Sequence, residues 1–451
     1  MNILLISSNT ANTPYPVYPL GLSTIASALE NAGHSVTQYD FLQSGMSLVD
    51  LSEIIKKVSP SVVGISIRNI DNVNLMNGKK YISVVKDIVT SVKAVSDVIV
   101  VLGGSGFSIM PDAILEETGA DYGIVGEGES AMVDFVSRLE QGHLPKTKCL
   151  RHGKRLVSKE MFSPSYDAEL MKFYLKRGGM GSIQTKRGCS LKCLYCSYPY
   201  LEGKQVRPRD PKAIISDIRT LQDKHDVKYI FFIDSVFNDD EKYYLELVTA
   251  MKKAGIFIPW TAFFRPGNLR DDEVRLMKET GLQAAEIGSD ASSNVTLRAL
   301  RKPFLFKDIV ECNDLFLSND VATAHYYMFG GPNETRETVF EGIENIKGLK
   351  GTVSFIFMGI RILPGTGLFD VAMDKGIISD KQDMLEPVFY IEPAIGNEWL
   401  KKTLTKAFAG NRNCVFPPDS LDSSLEFMHQ MGAPGSLWDT LVRKERHDDK
   451  K

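Results

Sequence analysis

Strand-length apolar runs alternate with amphipathic helices through the first 140 residues of the chain. The runs "NILLISS", "SVVGISI" and "VIVVLGGSG" have the length of buried strands, and stretches such as "YISVVKDIVTSVKAVS" have helical periodicity. This alternation is typical of a parallel, doubly wound sheet, because parallel strands need crossover helices between them. We therefore predict an α/β fold that begins with a Rossmann-like domain over residues 1–140.

Glycines follow two of the predicted strands, in "GGSG" and in "GEGE". They are Gly103, Gly104, Gly106, Gly126 and Gly128. In open α/β sheets, ligands bind at the carboxyl ends of the strands, where these glycines fall. The pattern indicates either a ligand site at this edge or a set of tight turns, and the sequence leaves both open.

Three of the six cysteines lie in one short segment, "TKRGCSLKCLYCSYPY". Cys189, Cys193 and Cys196 are separated by three and two residues. A disulfide framework would use an even set in a small secreted domain, and structural zinc would need a fourth ligand, usually in a second pair. Three soft thiolates on one loop instead favour an iron–sulfur cluster that keeps one coordination position open.

This C-x3-C-x2-C pattern, with Tyr195 before its third cysteine, resembles the signature of the radical S-adenosylmethionine (SAM) superfamily. The resemblance implies that Cys189, Cys193 and Cys196 hold a [4Fe–4S] cluster. It implies that the open iron binds the amino and carboxylate groups of SAM, and that one electron breaks a carbon–sulfur bond. A flavodoxin- or ferredoxin-type reductant and a small-molecule substrate are the partners that follow from it.

Residues 179–375 resemble the partial (β/α)6 barrel of that superfamily. Six apolar runs, from "GSIQTKRG" to "TVSFIFMGIRILPGT", alternate with helices and end in polar residues. We predict a linker over 141–178 and a small cap over 376–451 that packs on the barrel mouth or contacts the first domain. The final charge run, "RKERHDDKK", is predicted to be a solvated tail.

The residues that match SAM-binding positions of the family lie at the carboxyl ends of these strands. By resemblance, Tyr195 lies near the adenine, the second strand holds the SAM amino group, and the fourth reaches the ribose and carboxylate. "GGPNET" resembles the glycine turn under the adenine, with Asn333 in place of a glycine. The predicted cofactor-binding residues are Tyr195, Asp234, Ser235, Arg265, Glu286, Ser289, Asp290, Gly330, Gly331 and Pro332.

Three residues are candidates for catalysis. Arg361 ends an apolar strand, where a guanidinium suits a carboxylate. His325 and its neighbour Tyr326 lie on the fifth strand, and alternation places one of them inside the barrel, where a histidine could transfer a proton. Cys414 could face the substrate if the cap closes over the barrel. A structural role is the alternative for each of the three.

Residues 1–140 also resemble the cobalamin-binding domain that is fused to many radical SAM enzymes, on the motifs "YPLGL", "VGIS", "LGGSG" and "VGEGE". The Asp-x-His-x-x-Gly motif, whose histidine binds cobalt, does not occur. Arg68 and Asn69 follow the second strand, where small residues are expected beside a corrin. Binding of cobalamin therefore stays open at this stage.

Composition excludes several function classes. The formal net charge is −3, which argues against a nucleic-acid-binding surface. No apolar run reaches the roughly 18 residues of a membrane span, and no signal-peptide pattern opens the chain, so a soluble cytoplasmic protein is predicted.

The favoured function is a radical SAM transferase that passes a SAM-derived methyl group, via cobalamin, to a small molecule. One alternative is cobalamin-independent transfer of a 3-amino-3-carboxypropyl radical to a small acceptor such as arsenite. A tRNA methylthiotransferase-like enzyme and a non-enzymatic sensor are further alternatives. The oligomeric state and the substrate are not predicted.

Overall fold

Two parallel sheets, each with its own helices, form the bulk of the molecule. The structure, a computed structural model, describes residues 1–151 and 155–442. The predicted charged tail, 443–451, lies outside the described residues. Two short antiparallel pairs accompany the two main sheets.

The first sheet has six parallel strands in the order β2-β1-β3-β4-β5-β6, with helices on both faces. A doubly wound fold was predicted, and it is confirmed. Its elements in chain order are β1 (Asn2–Ser7), α1 (Leu20–Asn31), β2 (Ser35–Asp40), α2 (Leu48–Val58), β3 (Val62–Ser66), α3 (Ile82–Val95), β4 (Ile99–Gly103), α4 (Ser105–Ile109), α5 (Pro111–Thr118), β5 (Tyr122–Val125), α6 (Glu129–Glu140) and β6 (Cys149–Arg151).

The second sheet has seven parallel strands in the order β7-β10-β11-β12-β13-β14-β17 and forms the partial barrel. The six predicted barrel strands are present in the predicted order. The elements of the first half are α7 (Ala168–Gly178), β7 (Gly181–Ile183), β8 (Lys186–Arg187), α8 (Tyr198–Leu201), β9 (Arg207–Pro208), α9 (Pro211–His225), β10 (Ile230–Phe232), α10 (Tyr243–Lys253), β11 (Trp260–Phe264), α11 (Asp271–Glu279) and β12 (Leu282–Asp290).

The second half of this sheet continues the same alternation and ends in the C-terminal segment. Its elements are α12 (Asn294–Ala299), α13 (Phe306–Ser318), β13 (Ala322–Phe329), α14 (Arg336–Gly348), β14 (Thr352–Met358), β15 (Ile360–Arg361), α15 (Gly367–Asp374), β16 (Phe389–Tyr390), α16 (Asn397–Phe408), β17 (Cys414–Val415) and α17 (Asp422–Gln430).

Side-chain alternation separates the two faces of the barrel sheet. Phe232, Trp260 and Phe264 point outward and pack beneath the helices in the larger core. Phe231 and Phe263 each directly precede one of these outward residues in the sequence, so they point into the barrel. The barrel interior is therefore lined by residues of one parity along each strand, and this determines which candidate side chains can reach a bound molecule.

Two short strands extend the sheets beyond the predicted domains. Strand β6, within the predicted linker, pairs with β5 in the first sheet, and β17, within the predicted cap, pairs with β14 in the second. Strands of three and two residues have no periodicity that a sequence can reveal. The division of the chain at residues 140, 178 and 375 stays a prediction.

The last part of the C-terminal segment lies at the amino-terminal end of the barrel strands. Trp438 and Val442 pack against Ala284, Ala324 and Val353, which stand early in their strands. The earlier part of the predicted segment lies at the other end, where Glu392 accepts a hydrogen bond from the amide of Asn333 in the turn after β13 at 2.9 Å, so the predicted position on the barrel mouth is correct for that part. The other predicted position holds, because Asp419 accepts a hydrogen bond from Asn77 of the first domain at 2.6 Å.

Candidate active site

The three cysteines lie on a loop that backbone contacts hold in place after β8. Gly188 has φ +89°, and a Cβ there would stand 2.1 Å from the carbonyl oxygen of Gln205, so this position requires glycine. The amide of Cys189 donates to the Gly203 carbonyl at 3.0 Å, and that of Leu194 donates to Leu300 at 3.0 Å. The loop is thus tied both to its own return segment and to the end of α12.

The thiols fit the cluster that their spacing predicts. Burial, together with the nearby charge of Cys193, raises the pKa of Cys189 and raises that of Cys196 to about 12. Thiols in such a setting ionise only against a bound cation, which the irons of a cluster supply. In the described part of the chain, no three His, Cys, Asp or Glu side chains converge to hold a single metal ion.

A lysine that the sequence analysis missed reaches this loop. The ammonium of Lys302 lies 3.2 Å from Sγ of Cys193 and 3.2 Å from the Tyr195 hydroxyl, and it forms an ion pair with Asp290. Asp290 in turn accepts a hydrogen bond from Tyr195 at 2.8 Å. Lys302 stands more than a hundred residues after the cysteines and in no motif, so no sequence signal marked it.

Tyr195, Asp290 and Ser235 are brought to the cluster loop, as predicted. Asp290 has φ +62°, a left-handed conformation that Asp tolerates better than most residues, and this places its carboxylate against Lys302. The Ser235 hydroxyl donates to the Gly188 carbonyl at 3.3 Å. These three side chains lie beside the cysteine loop, and their predicted contacts with SAM stay predictions.

Asp234 does not belong to that group. It accepts hydrogen bonds from the amides of Thr185 at 2.7 Å and Lys186 at 3.2 Å, and it lies 3.5 Å from the Lys186 ammonium. Its carboxylate is 1% exposed and faces the β7–β8 junction. The predicted contact of Asp234 with the SAM amino group is wrong, since the carboxylate anchors the backbone that leads into the cysteine loop.

Ser289 and His325 face outward, between the sheet and α13. The Ser289 hydroxyl lies 2.7 Å from Nδ1 of His325, and Nε2 of the same ring lies 3.2 Å from Oδ1 of Asn313 on that helix. Burial lowers the pKa of His325 to about 3, so the ring stays neutral. Neither residue reaches the barrel interior, which corrects both their predicted roles.

Arg361 and Cys414 are also engaged elsewhere. The guanidinium of Arg361 lies 2.8 Å from Asp71 of the first domain and donates to the carbonyls of Ile362 and Met384 at 2.7 and 2.9 Å. Cys414 packs in the outer core of the barrel, where burial raises its pKa to about 11. A catalytic contact by either residue is therefore contradicted by its surroundings.

Arg265 and the glycine turn lie at the carboxyl ends of their strands, as predicted. Arg265 forms an ion pair with Asp240 near the end of β11. In the turn after β13, Gly330 has φ +96° and Asn333 has φ +62°, so the asparagine takes the left-handed geometry that a glycine would. The turn formed by Gly330, Gly331 and Pro332 is thus preserved, and its contact with adenine stays a prediction.

Glu286 lies inside the barrel, four residues before Asp290 on the same strand. Its Oε2 accepts a hydrogen bond from the Tyr326 hydroxyl at 2.7 Å, and its Oε1 has no hydrogen-bond partner. The side chain is 1% exposed, and burial raises the pKa of its carboxyl to about 7. Tyr326, rather than His325, is therefore the inward residue of the pair that alternation left open.

The raised pKa of Glu286 predicts a specific dependence of stability on pH. Its folded value, about 7, exceeds the ordinary 4.5, so this group favours folding most below pH 4.5, and the contribution is lost as the pH rises towards 7. Between about pH 5.5 and pH 8, wild type should lose about 2 kcal/mol of unfolding free energy relative to Glu286→Gln, measured by urea denaturation. Parallel profiles for the two proteins would contradict the assignment.

A cavity of about 280 Å³ lies at the carboxyl edge of the first sheet. Four of the predicted glycines line it, namely Gly103, Gly104, Gly126 and Gly128, whereas Gly106 packs on the backbone of Ile67 and Arg68. Residues of the second domain line it too: Gln184, Arg187, Leu201, Glu202 and Ile233. The glycines therefore border a ligand-sized space.

Arg68 and Asn69 do not fill this cavity, because neither is among its lining residues. Arg68 is exposed, although surrounding protein desolvates its guanidinium and lowers its pKa. The physical objection to a corrin at this edge, that these two side chains would occupy its space, is removed.

Ion pairs join the rim of the cavity to the cysteine loop. Glu127 lies 3.4 Å from Arg187, accepts a hydrogen bond from Arg207 at 3.1 Å, and accepts another from the amide of Leu156 at 2.9 Å. Arg187 also pairs with Glu129, at the start of α6. Because Arg187 stands two residues before Cys189, the rim and the loop are held as one unit.

Comparison with known proteins identifies both halves of the chain. Residues 6–136 match the B12 binding domain, and residues 183–346 match the radical SAM superfamily. An uncharacterized methyltransferase of Pyrococcus horikoshii is 26% identical, over 86% of each chain. The tryptophan 2-C-methyltransferase of Streptomyces laurentii is 24% identical, over 81% of this chain and 73% of that protein.

Solved structures share the whole architecture. The radical SAM methyltransferase TsrM from Kitasatospora setae, with tryptophan and a SAM analog bound, superposes with a TM-score of 0.85 at 20% identity, over 100% of this chain and 99% of that one. The cobalamin-dependent radical SAM enzyme OxsB, with aqua-cobalamin bound, gives 0.71 at 14% identity, over 100% and 75%.

The two domain matches decide what the sequence left open about cofactors. A radical SAM domain implies a [4Fe–4S] cluster and SAM, and a B12 binding domain implies cobalamin. The cysteine loop and the glycine-lined cavity are the places in this chain that fit them. The chain therefore carries a B12 binding domain ahead of a radical SAM domain.

Proposed function

We propose that this enzyme transfers a methyl group from SAM, by way of cobalamin, to a small-molecule substrate. The observation that carries the proposal is the shared cavity: Gly104 and Gly126 of the first sheet form one wall, and Arg187 and Ile233 of the cluster-bearing domain form the other. A cobalamin bound there would lie beside the barrel that holds SAM and substrate.

The cofactors supply the reactive chemistry: the cluster binds SAM and supplies electrons, and cobalamin carries the methyl group. The protein supplies position. Cys189, Cys193 and Cys196 would hold the cluster, while Tyr195 and Asp290 would contact SAM beside it. Lys302, which pairs with Asp290, offers a cation suited to the SAM carboxylate.

A flavodoxin- or ferredoxin-type protein is the proposed electron donor. Such donors need a path to the cluster, and Lys192, between the first two cysteines, is exposed. Lys186 is buried against Asp234 and Asp239, so it offers no charge to a partner. Lys192 is therefore the basic residue of this loop that suits an acidic reductant.

Filling the cavity should weaken corrin binding strongly without disturbing the fold. Gly21 lines the cavity on α1, and a Cβ there meets no atom within 4 Å. The side chain of Gly21→Phe would therefore enter the space that a ligand needs. We expect corrin retained after gel filtration, measured by absorbance, to fall about tenfold or more.

Gly348→Phe is the matched control for this experiment. A Cβ at Gly348 also meets no atom within 4 Å. Gly348 is an exposed residue of α14 and does not line the cavity. This variant should bind corrin as wild type does. Full corrin binding by Gly21→Phe, or equal losses in the two variants, would contradict the proposed site.

A further inference from the structure

The glycine turn after β13, residues 330–333, is held in shape partly by its own neighbours in the chain. The amide of Gly330 donates a hydrogen bond to the carboxylate of Glu334, and the amide of Glu334 donates to the Gly331 carbonyl at 3.2 Å. Asn333 has φ +62°, a conformation that costs asparagine more than glycine. A contact from another part of the chain that fixes Asn333 would therefore stabilise the whole turn.

Glu392, two residues after β16, binds both ends of this turn. Its backbone amide donates to the Gly330 carbonyl at 2.9 Å, and its Oε2 accepts a hydrogen bond from the Asn333 amide at 2.9 Å. The residue is 8% exposed. It stands 59 residues after Asn333 and beyond residue 346, where the match to the radical SAM superfamily ends. The turn is thus fixed from a part of the chain that this match does not include.

Two further donors keep the Glu392 carboxylate in place. The ammonium of Lys375, just after α15, lies 2.7 Å from Oε2 and 3.0 Å from Oε1, and the Tyr390 hydroxyl donates to Oε2 at 2.9 Å. Burial alone would raise the pKa of Glu392, but hydrogen bonds from Lys375, Asn333 and Tyr390 lower it. The side chain is therefore an anion at neutral pH, and it offers the Asn333 amide a fixed, charged acceptor.

The back of the turn is closely packed. A Cβ at Gly330 would stand 3.3 Å from Ile391 and 3.4 Å from Leu400. Leu400 is fully buried, in the core that also contains Phe329, the last residue of β13. Because packed interiors resist displacement, the hydrogen bonds of Glu392 act on a turn whose position is already limited by its neighbours.

Helix α12 connects the turn to the cysteine loop. A Cβ at Gly331 would stand 2.9 Å from Cγ2 of Thr296, in this helix, and 3.9 Å from Leu300, at its end. The Leu300 carbonyl accepts a hydrogen bond from the amide of Leu194, in the cysteine loop, at 3.0 Å. The turn and the loop are therefore held on one short helix, and a ligand that contacts both depends on the shape of each.

We propose that Glu392 is a positioning residue for SAM, because its carboxylate and its backbone amide hold the glycine turn in the shape that receives the adenine. The inference rests on the proposed function, in which SAM is the methyl donor, and on the predicted contact between this turn and the adenine. Glu392 acts through Gly330 and Asn333 rather than by contact with SAM. A backbone that is already fixed in its bound shape loses less entropy when the ligand binds.

Equilibrium dialysis of the anaerobic holoenzyme against SAM tests this role in two variants. Glu392→Asp keeps the charge, but its side chain is one methylene shorter and withdraws from the Asn333 amide. Glu392→Gln loses the charge but keeps an oxygen at the same reach. Glu392→Asp should bind SAM about tenfold more weakly than wild type, the loss of one hydrogen bond to a charged group, whereas Glu392→Gln should stay within about threefold.

The order of the two variants decides between the hydrogen bond and the charge. Weaker binding of SAM by Glu392→Gln than by Glu392→Asp would show that the charge matters instead, and it would overturn the proposal. Wild-type affinity in both variants would overturn this inference alone, since an enzyme that binds SAM leaves the proposed function intact. If wild type binds no SAM, the proposed function falls, and this inference falls with it.

Two readouts separate positioning from a general loss of structure. Iron content and retained corrin should stay at the wild-type level in Glu392→Asp, because Glu392 does not line the corrin cavity and makes no contact with the cysteines. The change that SAM produces in the electron paramagnetic resonance spectrum of the reduced cluster should require about tenfold more SAM. A loss of iron as large as the loss of SAM affinity would contradict a positioning role.

Glu386→Asp is the matched control. Glu386 lies in the same segment as Glu392, but it is 57% exposed and pairs with Lys80 of the first domain. The same shortening of an acidic side chain at this position should leave SAM affinity at the wild-type value. Equal losses of SAM affinity in Glu386→Asp and Glu392→Asp would overturn the proposal.

Discussion

Cys193→Ala is expected to leave the protein without a stable cluster and without SAM cleavage. The remaining thiols, Cys189 and Cys196, cannot supply a third iron ligand, and burial opposes their ionisation in the absence of the metal. We expect iron content and visible absorption of the anaerobically purified variant to fall to background. Formation of any nucleoside product from SAM should fall with them.

The other cysteines provide the control. Cys312 lies in the core of the barrel, where burial raises its pKa to about 12, and Cys149 lies on β6 at the edge of the first sheet. Cys312→Ala and Cys149→Ala should keep iron at the wild-type level. A full cluster in Cys193→Ala, or its loss in Cys149→Ala, would refute the ligand assignment.

Arg361→Met is expected to destabilise the protein by about 3–5 kcal/mol, the loss measured when one partner of a buried ion pair is removed. Arg361 and Asp71 are 3% and 2% exposed, and the pair joins β15 of the barrel to the loop after β3. Without the guanidinium, Asp71 keeps one hydrogen bond, from the amide of Val73, and becomes an uncompensated buried charge. Urea denaturation of the apoprotein measures the effect.

Two further variants of the chain make this prediction specific. Arg361→Met combined with Asp71→Asn should recover part of the loss, because the uncompensated charge is removed as well. Lys80 and Glu386 join the same loop to the same domain, but they are 54% and 57% exposed, so Lys80→Met should cost less than about 1 kcal/mol. Equal losses for Arg361→Met and Lys80→Met would contradict the role of burial.

Local patterns predicted the strands, the cysteine loop and the glycine edge, because each depends on neighbours in the chain. Alternation also limited the inward residue of β13 to one of two, His325 or Tyr326. It could not choose between them, because the choice depends on contacts with Asn313 and Ser289 on other elements. Assigning the face of Ser289 failed for the same reason.

Long-range pairing accounts for the remaining errors. Arg361 looked like a free guanidinium at a strand end, but its partner Asp71 stands 290 residues away. Asp234 looked like a SAM ligand, but it binds amides 48 and 49 residues earlier. A single sequence does not encode such pairs in any local spacing, and Lys302 was missed because its contacts are equally distant.

The glycine-lined cavity shows how an expectation from the sequence can be overturned by the direction of a side chain. A bulky, charged residue after β3 argued against a ligand at this edge. In the structure the backbone of Ile67 packs against Gly104, while the Arg68 side chain leaves the cavity open. The sequence shows that a bulky, charged residue follows β3, but the direction of its side chain depends on the neighbours that pack against the loop.

The most direct test of the account is the fate of SAM in the reduced enzyme, with and without cobalamin. Both samples receive methyl-labelled SAM, and the nucleoside products are separated by chromatography. The account predicts S-adenosylhomocysteine in the cobalamin-loaded sample and its loss in the cobalamin-free one. 5′-Methylthioadenosine formed equally in both samples would mark transfer of the aminocarboxypropyl group and would contradict methyl transfer by way of cobalamin.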